Sequence, residues 1–214
     1  MADPLNRRPL NSRSTKWAQF ITRRLAAAQI TPNQISAASL VFATLAGLSF
    51  AGVAWSEGVL RVVLLVAAGV LVQLRLLCNL FDGMVAIEAG QGAPTGPFWN
   101  EVPDRPADAV ILIGVGIGAG AATLGWAAAA LAIGVAYLRA FGSSLGHEAD
   151  FSGPMAKQHR MAAVTIASAA AAILSPWIDA MLILHIALWC VVAGAGVTLI
   201  RRARTLHAKL SRGG

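Results

Sequence analysis

An all-α integral membrane protein of six spanning helices, preceded by an interfacial amphipathic helix, is the fold class that three features of this sequence predict. Apolar residues fill 57% of its 214 positions and charged residues only 13%, with mean hydropathy +0.65. A soluble domain carries about 45–50% apolar and ~25% charged residues, so the charges here are too few to clothe a water-facing surface. The apolar residues also form continuous runs near the ~20 residues that a span needs. They do not alternate, which indicates helices and not barrel strands. Finally, the basic residues gather on alternate connections. These features exclude a soluble globular enzyme, a disordered chain and a dedicated nucleic-acid binder, despite a net charge of +7 and a pI near 10.7. One compact membrane domain is the expected organisation.

The elements follow in order. In residues 14–28, Trp17, Phe20, Ile21 and Leu25 recur at helical spacing, with Lys16, Arg23 and Arg24 off that stripe. The pattern predicts a helix lying in the cytoplasmic interface. Thr31-Pro32-Asn33 supplies a cap or turn into the first span, with proline suited to a first helical turn. Spans are predicted near 34–55, 60–86, 99–122, 125–147, 160–177 and 180–202. The apolar run at 109–138 is too long for one span and divides near Leu124-Gly125. Alanine, glycine and serine are abundant in the spans and permit close helix–helix approach. The first run lies too far from the N-terminus for a signal peptide and is read as a retained span. Cys78 and Cys190 each sit inside an apolar run, as small hydrophobes without disulfide or zinc spacing.

Arg7, Arg8, Arg13, Lys16, Arg23 and Arg24 precede the first span, Lys157 and Arg160 separate the fourth and fifth, and Arg201, Arg202, Arg204, Lys209 and Arg212 follow the sixth. The opposite connections hold only Arg61. The positive-inside rule then places both termini in the cytoplasm. The net charge is topology and attraction to anionic membrane lipids, not a sign of nucleic acid. The expected divisions are a cytoplasmic tail and interfacial helix over 1–33, a membrane domain over 34–202 and a basic cytoplasmic tail over 203–214.

Five of the ten acids (Asp82, Glu88, Glu101, Asp104 and Asp108) fall within 27 positions around one cytoplasmic connection. Acids at the edge of a membrane helix are expensive unless paired or metal-bound. Asn79, Asp82, Gly83 and Ala86 follow i, i+3, i+4, i+7, and Asn100, Asp104 and Asp108 follow i, i+4, i+8, so each set shares a helix face. Two such faces brought together make a cage of oxygen ligands suited to Mg²⁺ or Mn²⁺. Gly83 leaves room for a bulky ligand. A diphosphate is the natural substrate, its charge offset by the metal. Pro103 and Pro106 either free carbonyls as ligands or mark a bent entry into the membrane.

These residues resemble the CDP-alcohol phosphotransferase family, whose signature reads D-x-x-D-G-x-x-A-R-x8-G-x-x-x-D-x-x-x-D. The register from Asn79 to Asp104 is kept without a gap: Asn79, Asp82, Gly83, Ala86, Ile87 at the arginine, Gly96, Asn100 and Asp104. The Asp104-Arg105-x-x-Asp108 continuation and TPNQIS at 31–36 are also family-like. The resemblance covers most of the chain. It implies transfer of a phosphatidyl group from CDP-diacylglycerol, or a similar CDP-lipid, to a small polar alcohol with release of CMP. It implies Asp82 as a metal ligand, Asp104 as the base and a ligand, Asn79 and Asn100 at the other two ligand positions, and Gly83 and Ala86 in the cytidine pocket, with Gly96 on the substrate side. It also implies a homodimer and a bacterial inner-membrane location with the site cytoplasmic. The departures define a branch with asparagine at two of the four acid positions. Asparagine keeps a carbonyl ligand but loses the charge, so a second metal binds more weakly. Glu101 and Asp108 are the acids near enough to compensate.

Lys157 and Arg160 suit a phosphate on donor or acceptor. Arg139, inside the fourth span, wants an anion. Arg75 lies on the stripe with Asn79 and Asp82, about 10 Å from Asp82 by helix rise, and either pairs with the acids or contacts the diphosphate. His147 and His159 read as ordinary polar residues, while Asp179 and His185 lie toward the opposite face. The leading function is a metal-assisted phospholipid-synthesising transferase. The alternative is a catalytically weak or inactive relative that binds CDP-lipid. A transporter ranks below both, because the acids cluster at one face instead of lining a path.

Overall fold

The protein is represented by a computed structural model, which describes residues 14–88, 90 and 94–212, without the side chains of Glu88, Asn100 and Arg212. Eight α-helices appear among them: α1 (Lys16–Ala27), α2 (Pro32–Gly52), α3 (Gly58–Glu88), α4 (Gly96–Glu101), α5 (Asp104–Gly118), α6 (Ala122–Ser144), α7 (Lys157–Leu174) and α8 (Ala180–Arg212). A 3₁₀ turn at Val53–Trp55 finishes α2, and no strand occurs among the described residues. Four helices, α2, α3, α6 and α8, are long and apolar enough to cross a membrane. Together they make this an integral membrane protein.

The predicted start of the first span is built as a capping box. Thr31 Oγ1 accepts from the Gln34 backbone N–H at 3.3 Å, and Gln34 Oε1 accepts from the Thr31 N–H at 2.9 Å. Pro32 occupies the first turn, where its missing donor costs nothing. The single helix expected over 99–122 is instead two. Pro103 cannot donate a backbone hydrogen bond, and the chain breaks at Val102–Pro103 into α4 and α5. Pro106 falls in the first turn of α5 and is harmless there. The expected face shared by Asn100, Asp104 and Asp108 therefore does not continue through one helix. The last helix runs ten residues past its predicted end at 202, so the basic tail continues α8 to Arg212.

The six longer helices close into a ring in the spatial order α2, α3, α7, α8, α6, α5, with α5 also touching α8 across it. Phe50, Leu65, Val72, Ile111, Leu112, Met161, Leu184 and Leu188 form the core. The outward faces are apolar too: Leu48, Val59, Ile166, Ile173 and Leu182 are exposed, as suits lipid contact. Backbones meet most closely where α5 crosses α2 and α6. A Cβ on Gly114 would lie 2.2 Å from the Gly47 carbonyl oxygen, and one on Gly116 would lie 2.6 Å from the Gly125 Cα. Glycine is required there by space, which lets α5 sit deep in the ring.

The predicted stripe on α1 divides its work. Ala18 and Thr22 are buried against the end of α3, Ile21 and Leu25 pack on the same cluster, and Trp17 meets the Phe81 ring edge-on at 6.0 Å. Phe20 points outward with the Arg24 guanidinium over its ring.

Replacing Gly114 with alanine is expected to destabilise the protein by about 1–3 kcal/mol through overpacking. Gly196→Ala, where a Cβ meets nothing within 4 Å, is expected to leave stability unchanged or slightly raised. Thermal unfolding in one detergent compares the two.

Candidate active site

At one end of the ring, α3 turns a polar face inward through Arg75, Asn79 and Asp82, spaced four and three apart. Two serines of α2, themselves three apart, meet that face. Ser36 Oγ donates to Asp82 Oδ2 at 2.8 Å, and the Gly83 N–H donates to Asp82 Oδ1 at 2.6 Å. Asp82 is 6% exposed and forms no salt bridge among the described residues. Ser39 Oγ donates to Asn79 Oδ1 at 2.8 Å, which turns the Asn79 amide nitrogen toward Asp104 Oδ1, 2.6 Å away.

Asp104 and Asp108, one turn apart on α5, meet three cations. Arg75 Nη2 lies 3.1 Å from Asp104 Oδ1 and 2.7 Å from Asp108 Oδ1. Arg160 Nη2 lies 2.9 Å from Asp108 Oδ2, and Lys157 Nζ pairs with Asp104 Oδ2. Arg75, Asp108 and Arg160 are all buried. Arg75 Nε, Arg75 Nη1 and Arg160 Nε are buried without a hydrogen-bond partner among the described residues.

Beside this cluster lies a cavity of about 390 Å³, bounded by α1, α3, α5, α6, α7 and α8. Five cations line it: Arg105, Arg139, Lys157, Arg160 and Arg202. Asn79 lines it as well and joins it to the acidic cluster. Arg139 Nη2 lies 2.6 and 2.8 Å from the two Glu101 oxygens, its guanidinium stands over the Phe151 ring, and Arg105 pairs with the same carboxylate. Arg202 donates to the Ser152 and Val135 carbonyls, each at 3.0 Å. The loop before α7 is fastened to α8 a second time, by the Met155 N–H donating to Thr198 Oγ1 at 3.0 Å. In that loop, burial pushes the Asp150 carboxyl up, but hydrogen bonds from Ser152 and the nearby Arg202 and Lys209 charges outweigh it and hold the group below the ordinary carboxylate value.

The fold thus gathers Asn79, Asp82, Asp104 and Asp108 with Lys157 and Arg160, and sets Arg139 on the rim of the same cavity. Ala86 is half-buried one turn beyond Asp82, and Gly96 opens α4 with open space around it. The side chain of Asn100 lies outside the described residues. One expectation is corrected. Glu101 does not join the acidic cluster, because beyond the break at Pro103 it pairs with Arg105 and Arg139. Asp108, the other acid expected near enough to compensate, stays in the cluster, with its two oxygens paired to the Arg75 and Arg160 guanidiniums. Sequence reasoning missed Ser36, Ser39 and Arg202. The serines carried a signal, two hydroxyls on one face of an apolar span, whereas Arg202 was indistinguishable from its tail neighbours.

The donors fit a hard cation in kind: they are all oxygens, and buried Asp82 has no cationic partner among the described residues. They fit one ion better than two. No three His, Cys, Asp or Glu side chains converge as a metal group among the described residues, and Asp104 already accepts from two cations.

No protein-family model matches the chain, and no curated protein matches it by sequence. Its fold is that of phosphatidylinositol phosphate synthase (PgsA1) from Mycobacterium tuberculosis. The crystal structure of that enzyme with manganese and citrate superposes at a TM-score of 0.73 with 17% identity, covering 88% of each chain. The structure with CDP-DAG bound gives 0.73 and 17% over 90% of this chain and 94% of that one. The apo form gives 0.69 and 17% over 87% and 94%.

Asp108→Asn is expected to destabilise the protein by about 3–5 kcal/mol, since it takes the carboxylate partner from the buried Arg160 guanidinium and one of two from Arg75. Glu101→Gln, at a partly exposed pair, is expected to change stability by about 1 kcal/mol or less. Denaturant titration of the purified variants measures both.

Proposed function

We propose that this protein is a CDP-alcohol phosphotransferase of six spans, with its site and both termini cytoplasmic, that moves a phosphatidyl group from CDP-diacylglycerol to a small polar alcohol and releases CMP. The observation that carries this reading is the adjacency of two opposite surfaces: a buried carboxylate cluster holding Asp82 without a cation, and a cavity lined by five cations. A diphosphate ester and a metal suit the first, and a second anionic group suits the second. A fold shared with a synthase crystallised with CDP-DAG and with manganese supports the assignment, as does the motif register from Asn79 to Asp104.

A divalent cation, Mg²⁺ or Mn²⁺, held by Asp82, Asn79 and Asp104, with Asn100 the remaining motif position, supplies positive charge against the diphosphate when bound. Gly83 leaves backbone and space beside it for the nucleotide, with Ala86 and Gly96 on the same side. Asp104 takes the proton of the acceptor hydroxyl as that oxygen attacks the β-phosphorus, the one bonded to diacylglycerol. The bond from that phosphorus to the bridging oxygen breaks, and CMP leaves with the electron pair. Lys157 has a place in this step. While it pairs with Asp104 it occupies one of that carboxylate's oxygens. A phosphate arriving in the cavity competes for Lys157 and frees that oxygen to accept a proton. Arg139, Arg160 and Arg202 favour a phosphorylated acceptor by their number and their position on the cavity wall.

Purified protein given CDP-diacylglycerol, Mn²⁺ or Mg²⁺ and a panel of alcohols, phosphorylated and not, is expected to release CMP and form the matching lipid, and to stop with chelator. Asp104→Asn is expected to lower the rate by about 10²–10⁴-fold. Background CMP release across the whole panel, with CDP-lipid still bound, overturns the transferase reading in favour of a binding protein.

A further inference from the structure

We infer that Arg75 is a built-in counter-cation that holds Asp104 and Asp108 and so limits the acidic cage to a single divalent ion. The inference rests on the metal-assisted part of the proposed function and goes beyond it, since it assigns a task to a residue outside the motif. Arg75 acts through Asp104 and is a positioning residue.

The side chain is completely buried, at 0% exposure. Its Nη2 reaches both α5 carboxylates, at 3.1 and 2.7 Å. Yet its Nε and Nη1 find no acceptor among the described residues, and buried donors left unsatisfied cost free energy. Each of the two α5 acids has a cation of its own besides this residue. Asp108 keeps Arg160 and Asp104 keeps Lys157 without it. Arg75 ties α3 to α5 through Asp108, but the pairing of Asp104 does not depend on it.

Its consequence is unequal treatment of two carboxylates. Among the described residues, Asp104 accepts from Arg75, Lys157 and Asn79, whereas Asp82 accepts from Ser36 and the Gly83 N–H. A first divalent ion finds at Asp82 a carboxylate that no cation has taken. A second would have to displace Nη2 from Asp104 and sit against a unit positive charge in a low-dielectric interior, where repulsion is large. Lys157 differs from Arg75 in one respect that matters. It is partly exposed on the cavity and can exchange Asp104 for an incoming anion. Arg75 has no solvent path and stays.

The test is Mn²⁺ binding to the full-length protein in detergent, read as free Mn²⁺ by electron paramagnetic resonance, with CMP release measured on the same preparations. Wild type is expected to bind one Mn²⁺ per chain, and Asp82→Asn to lose it. Arg75→Gln is expected to bind a second Mn²⁺, or the first at least ~10-fold more tightly. Arg75→Lys, which keeps the charge, is expected to stay at one. Zero or two Mn²⁺ per wild-type chain overturns the inference, as does Arg75→Gln with unchanged number and affinity. Should Arg75→Gln fail to fold, the wild-type stoichiometry together with Arg75→Lys decides: one ion in each supports the inference, and two in either overturns it. An Arg75→Gln shift without any CMP release overturns the transferase reading alone. Normal CMP release with unchanged Mn²⁺ binding overturns this inference alone.

Discussion

The Asp108 carboxylate, buried between the guanidiniums of Arg75 and Arg160, ties α3, α5 and α7 into one unit. In a medium of low dielectric none of these three charges is tolerable alone. Their mutual satisfaction fixes the rotation of α5 about its axis, and that rotation decides where Asp104 points, one turn nearer the end of the helix. Asp104 then meets Asn79 and Lys157. The polar cluster is thus a structural tie at its deep end and the proposed reactive surface at its shallow end.

That tie depends on an unusually close approach. Gly47 and Gly114 let the backbones of α2 and α5 touch, and Gly116 and Gly125 do the same for α5 and α6. The small helix α5 can then sit within reach of α3 and deliver its acids to Asn79, whose amide Ser39 has already oriented. The kink at Pro103 completes the sorting. It separates Glu101, which serves the rim of the cavity through Arg105 and Arg139, from Asp104, which serves the cage. A continuous helix would have put these acids at angles that neither surface uses.

The separation of acid from base across the site follows from these constraints. On the cage side stand carboxylate and amide oxygens, with Asp82 unpaired to any cation among the described residues. On the cavity side, Lys157, Arg139, Arg160 and Arg202 arrive from α6, α7 and α8. Lys157 belongs to both, because it pairs with Asp104 and lines the cavity. In the proposed reaction, a group that bridges the two surfaces would link binding of an anion to proton transfer at Asp104.

Much of this was legible in the chain itself. Continuous apolar runs and scarce charge determine helices in a membrane. Thr31, Pro32 and Gln34 determine where the first of the long helices begins, because capping is local. The spacing of Asn79, Asp82, Asp104 and Asp108 determines which acids can share a surface, because helix periodicity is local as well. Tertiary structure decided what each charge does. Arg75 admitted two roles until α5 came beside it. Arg202 could not be told from Arg201 or Arg204 until α8 turned it toward the loop before α7. Glu101 and Asp108 looked alike as spare acids, and only the break at Pro103 and the cations brought by α6 and α7 gave them different partners. Periodicity says which side of a helix a residue occupies, but the partner of a buried charge is set by a neighbouring helix far away in sequence.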